Sequence, residues 1–227
     1  IQQIFGMGTP KFPDQIDTLR YTLLTNYRFP INEQLHLTED SFGNLYGAGR
    51  NTGNLYRINE IDHSSKLMST NLFKLVDKYM GHKYKSFRLN DIHFFNNIFY
   101  FSEVLVTEKG SSECSAAYSF NIDKGYVQNL RQIFLSPCIE DRKNPAMWAG
   151  RFSNNENNLF FSIGEQRYDR SGFPKLSDVA TRERLNKNSV FGCVLDFKLP
   201  LTSKNDYTRF SCGHRNAQGL FYSTSSE

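Results

Sequence analysis

The sequence contains one Trp and four Met, and no apolar run approaching the roughly 20 residues that a membrane-spanning helix needs. No membrane span is therefore expected. Its four cysteines include no Cys-x-x-Cys pair, which argues against zinc ligation. Neither sign of charge dominates: 27 Lys and Arg against 23 Asp and Glu leave a net charge of +4. That excess is too mild and too evenly scattered for a nucleic-acid-binding face, so no nucleic-acid partner is expected. The short basic-aromatic stretch His82-Lys83-Tyr84-Lys85 reads as a solvated loop.

What the chain does have is aromatic side chains. It carries 20 Phe and 12 Tyr, and 39% of its residues are hydrophobic. That is enough to bury a core, and the aromatic excess favours strands over helices. A mean hydropathy of −0.53 with 22% charged residues fits a chain folded in water. The length suits one all-β domain over residues 1–227, or a large part of one.

A unit recurs along the sequence: aromatic-rich strand, Gly/Asn turn, second strand. It occurs from Thr38 to Gly47, then through Asn51-Thr52-Gly53-Asn54 into Leu55-Tyr56-Arg57-Ile58. It returns at Asp91-Ile92-His93-Phe94-Phe95, Asn96-Asn97 and Ile98-Phe99-Tyr100-Phe101, and again from Phe152 across Asn154-Asn155-Glu156-Asn157-Asn158 to Ile163. Short strands split by Asn/Gly turns imply antiparallel hairpins. Recurrence at roughly 50 residues implies propeller blades, each burying its faces against its neighbours. Residues 71–80 fit a short helix or another strand. Residues 166–189 are charged and weakly periodic, and read as a long loop with one helical turn near 178–185.

The most informative stretch is Gly213-His214-Arg215-Asn216-Ala217-Gln218-Gly219-Leu220. Arg supplies a fixed fork of donors, and Asn and Gln each bring a donor and an acceptor. Two glycines allow a sharp turn or a close approach. Such a cluster suits a planar, oxygen-rich ligand. Two further stretches precede it in the chain: Gly150-Arg151-Phe152 with its polar turn and Leu159-Phe160-Phe161-Ser162-Ile163-Gly164-Glu165-Gln166, then Phe191-Gly192-Cys193-Val194-Leu195-Asp196-Phe197.

These three stretches, in this order, resemble the glucose/sorbosone dehydrogenase family, the soluble β-propeller enzymes that use pyrroloquinoline quinone (PQQ). The Gly213–Leu220 stretch resembles that family's GHRNPQGL signature, with Ala217 in place of Pro. Arg88-Leu89-Asn90-Asp91-Ile92 with 97–102 resembles an earlier blade more loosely. The resemblance implies part of a six-bladed β-propeller with about three to four blades present, lacking the C-terminal half of its domain. It implies sugar or alcohol oxidation by hydride transfer to PQQ. Arg215 would polarise the quinone, Asn216 and Gln218 would face the cofactor, and Glu165 would orient the base. Calcium is implied too, on ligands beyond this chain, and a periplasmic or extracellular location.

One position departs from the pattern. Where the family keeps its basic histidine, this sequence has Met147, preceded by Ala146 and followed by Trp148. A thioether accepts no proton. The alternative is therefore a non-catalytic propeller that kept the polar cradle for binding or packing. Either way, Arg215, Glu165 and the Met147-Trp148 pair are expected to converge on one end of the propeller near its axis.

An even cysteine count in a usually exported family implies disulfides. Cys114 precedes the strand 116–122 and Cys138 follows the strand 127–134. Joined by the turn at 123–125, these strands would be antiparallel and bring their outer ends together. Cys114–Cys138 is expected, and Cys193–Cys212 as the second pair. Four buried free thiols are the alternative.

Overall fold

A computed structural model describes residues 33–59, 64–108, 110, 112–140, 148–164, 189–214 and 216–220. Thirteen strands and one helix are assigned among them. The first sheet holds β1 (Leu35–Glu39), β2 (Leu45–Gly49), β3 (Asn54–Asn59) and β4 (Ser64–Asn71). The second holds β5 (Tyr84–Phe95), β6 (Ile98–Thr107), β7 (Ser112–Asp123) and β8 (Tyr126–Leu135), with the short β9 (Ile139–Glu140) paired to β7. The third holds β10 (Phe152–Asn154), β11 (Asn158–Ser162), β12 (Cys193–Lys198) and β13 (Thr208–Cys212). In every sheet the strands lie in chain order and each pair is antiparallel. Three successive four-stranded meanders are blades, and the fold is all-β, as part of a β-propeller is.

Local chemistry sets the turns. The stretch from Thr38 to Gly47 is two strands, not one. The Asp40 carboxylate accepts from the Phe42 and Asn44 amides at 2.9 Å each, and Gly43 takes a φ of +76°. That Asx-type turn stops β1 and reverses the chain into β2. Asn96 and Asn97 both adopt positive φ between β5 and β6, a conformation Asn tolerates at little cost. Residues 71–80, open between two readings in the sequence, form the helix α1 (Leu72–Tyr79). Its cap is Asn71, whose side chain accepts from the Lys74 amide at 3.0 Å, and its buried residues are Leu72 and Val76, one turn apart.

Two cores hold the sheets together. One joins the first sheet and α1 to the second: Tyr46, Leu55, Leu72 and Val76 pack with Phe99, Phe101, Leu105 and Tyr118. The other joins the second sheet to the third: Tyr100, Ala117 and Ile133 pack with Phe152, Phe161, Leu195 and Phe197. Successive residues of β6 thus enter opposite cores. Both faces of that strand are covered, which is why its sequence from Ile98 to Val106 is apolar on both faces apart from Ser102 and Glu103.

The two disulfides are Cys114–Cys138 and Cys193–Cys212, and no described cysteine is free. The first pins the chain leaving β8 back onto β7, where β9 pairs with Ser112 and Glu113. The second links directly opposed residues of β12 and β13. No described helix is long and apolar enough to cross a membrane.

Candidate functional site

The first strands of the three sheets meet: β5 packs against β1 and against β10. β4, β8 and β11 end, and β5, β10 and β12 begin, at one and the same end of these strands. The three motif stretches converge here. The Asn216 carboxamide oxygen accepts from the Ala149 amide at 3.1 Å. Ser162 joins two stretches at once, its hydroxyl donating to the Ala217 carbonyl and accepting from the Arg151 amide, both at 2.9 Å. The His214 amide donates to the Gly192 carbonyl at 2.9 Å, and the His214 ring contacts the Ser211 hydroxyl at 2.8 Å. The Gln218 amide closes a tight turn on the Asn216 carbonyl, and its side chain is exposed.

The 148–151 segment is the floor of this arrangement. Trp148 is buried and donates its indole N–H to Glu113 at 2.8 Å. Gly150 has a φ of +77°, and a Cβ there would lie 2.8 Å from the Asn90 side chain. Glycine is required at this position on both counts. The Ser102 hydroxyl donates to the Gly150 carbonyl, tying the segment to β6.

Below that floor three first strands contribute one polar cluster. Arg151 Nη1 lies 3.0 Å from His36 Nδ1, on β1, and 3.4 Å from the Asp91 carboxylate, on β5. The other Asp91 oxygen accepts from the Phe152 amide at 2.8 Å. With a guanidinium facing Nδ1, that nitrogen is the acceptor and the imidazole is neutral, its proton on Nε2. Burial, then the Arg151, Arg50 and Arg88 charges, hold His36 down at about 4. The Leu89 carbonyl lies near enough to favour the proton, yet Nε2 forms no hydrogen bond. Asp91 moves the opposite way, to about 6, because burial outweighs the Phe152 N–H and the Arg151 charge that favour its carboxylate. Arg88 donates to Asn90 at 3.1 Å, and its charge is disfavoured by burial and by Arg50.

Of the residues singled out in the sequence, Asn216, Gln218 and Trp148 fall at this end. Met147, Glu165 and Arg215 lie outside the described residues, as does the loop at 166–189 up to residue 188. His36, Asp91 and the role of Arg151 were not found from sequence. Arg151 stood in a quoted motif and Asp91 in a looser one, but nothing local marks His36, an isolated His in a short strand. Among the described residues no group of three or more His, Cys, Asp and Glu is arranged for a metal ion.

No protein-family model matches the chain, and no curated protein sequence matches it. Among solved structures, the PQQ-bound form of an aldose sugar dehydrogenase from Streptomyces coelicolor superimposes with a TM-score of 0.46 at 14% identity. The match covers 82% of this chain and 52% of that one, so the chain spans about half the length of that enzyme.

Proposed function

We propose that this end of the propeller binds an oxygen-rich planar ligand of the quinone-cofactor class, in a divergent relative of the PQQ-dependent sugar or alcohol dehydrogenases. The observation that carries the reading is the joining of the three motif stretches by Asn216, Ser162 and His214 beside a cluster rich in guanidinium donors. Arg50, Arg88 and Arg151 suit the carboxylates and carbonyl oxygens of PQQ, so the described donor set fits that cofactor. When bound, PQQ supplies a two-electron acceptor for hydride.

The chain's own part is binding and charge. Arg215 is proposed to donate to the quinone oxygen, where negative charge develops. Glu165 is its proposed counter-charge. Asn216 keeps its amide N–H donors for a ligand, since its oxygen is held by Ala149. Gln218 is proposed to close over the ligand from its exposed turn. Proton removal falls to a group other than Met147. The substrate class is a small sugar or alcohol. Two disulfides are compatible with an oxidising compartment, and a periplasmic or extracellular location is proposed.

Met147 favours a second reading, a propeller that binds the ligand without oxidising anything. Calorimetry with PQQ and calcium, paired with dye reduction across a panel of sugars and alcohols, separates the two. The enzyme reading expects both signals, and Arg215→Ala lowering the rate by on the order of a hundredfold or more. Binding without dye reduction leaves the second reading. Absence of both overturns the proposal.

A further inference from the structure

The opposite end of the sheets, where the β5–β6, β7–β8 and β10–β11 turns lie, carries a different feature. Directly opposed residues place a polar row across the second sheet: His93 faces Tyr100, Tyr100 faces Ser119, and Ser119 faces Arg131. Opposed residues share a face, so the whole row points at the third sheet, on the side that elsewhere supplies Ala117 and Ile133 to the core. His93 finds a partner across the gap, its Nε2 lying 2.8 Å from the Asn154 carboxamide oxygen. Beyond it the two sheets separate around a groove of about 530 Å³ bordered by Tyr100, Ser119 and Arg131.

The rest of the groove is of two kinds. Ile98 and the Leu199-Pro200-Leu201 segment give it an apolar wall. Asn157 and Glu156, on the β10–β11 turn, form an exposed lip. The guanidinium is fixed: Arg131 Nη1 donates to the Leu201 carbonyl at 2.9 Å, which orients the fork and leaves four N–H donors. Tyr100 is fully buried beside the groove, and its hydroxyl has no hydrogen-bond partner. Burial raises that phenol to about 12, so it remains an O–H donor at neutral pH. The volume lies in the range of small-molecule sites.

We propose that this groove binds a small organic carboxylate with an apolar body. The carboxylate takes the geometry that a single oriented guanidinium offers, a planar fork to a planar anion. The carbon body lies along Leu199, Pro200 and Leu201. Inorganic phosphate carries more charge than one arginine matches and has nothing to lay on the apolar wall. This site is at the other end of the sheets from the motif cluster and does not depend on the quinone reading.

The test is isothermal titration calorimetry of the full chain with hexanoate, against hexanol, inorganic phosphate and glucose. Hexanoate is expected to saturate one site, with each control at least about tenfold weaker. Arg131→Gln should weaken hexanoate about tenfold or more, with thermal unfolding recorded to confirm folding. Glu156→Gln, at an exposed turn, should tighten it, because a like charge at the lip is removed; this arm stands even if the arginine variant fails to fold. Equal binding of hexanol, tighter binding of glucose, no saturable binding of hexanoate, or indifference to both substitutions overturns the proposal.

Discussion

Glu103 sits in the middle of β6 between Phe101 and Leu105, without exposure and with neither carboxyl oxygen in a hydrogen bond. The Ser86 hydroxyl is close enough to favour the carboxylate slightly, but burial dominates and pushes the group up to about 8. An acid raised in this way keeps its proton in the folded protein while the unfolded chain loses it. Its contribution is therefore most favourable below the unfolded value, about 4.3, and is lost progressively as pH rises towards 8. Glu103→Met keeps the unbranched shape and removes the ionisation. Urea unfolding should show a gain on the order of a few kcal/mol at pH 8, and a flatter stability profile between pH 5 and 8. An unchanged profile would mean that water or a rearrangement already satisfies the carboxyl. Nothing in the sequence marks this residue, because in a strand buried on both faces an acidic position looks like an exposed one. The same holds for His36 and Asp91, whose meaning depends on a partner more than fifty positions away. The motif residues were legible only because their types and order resemble a family.

At the scale of elements, the hairpins could be read from their turns. Asn96-Asn97 and the Asn-rich segment at 154–158 both mark reversals found in the structure. The helix was harder, since Leu72, Leu75 and Val76 fit a helix face or a half-buried strand equally well. The cap decides between them. Asn71 accepts from the Lys74 amide, and its own amide group donates to the Thr52 carbonyl and to Asn54, both at 2.8 Å. One side chain therefore starts α1 and fastens it to the β2–β3 turn. Asn71→Ala should cost about 1–2 kcal/mol, read as a lower urea midpoint with an unchanged slope. A cost near zero would show that α1 is held by Leu72 and Val76 alone.

At the scale of the whole molecule, the roughly 50-residue recurrence was enough to give a succession of blades. The Cys114–Cys138 pair followed from the order of two strands, since a tight turn at one end forces their other ends together. How neighbouring blades divide the residues of β6, and which first strands share a charge cluster, could not follow from any local pattern. Those depend on packing between units distant in sequence. The placement of the second sheet has a dynamic consequence. Its amides in β6 and β7 are shielded from both sides, so releasing them requires a neighbouring sheet to detach as well, whereas β4 and β13 each have exposed residues along their length. Native-state hydrogen–deuterium exchange should find β6 and β7 protected to the limit of global unfolding and β4 and β13 exchanging through smaller, earlier openings. Uniform exchange across all three sheets would instead describe one cooperative unit with no order of release.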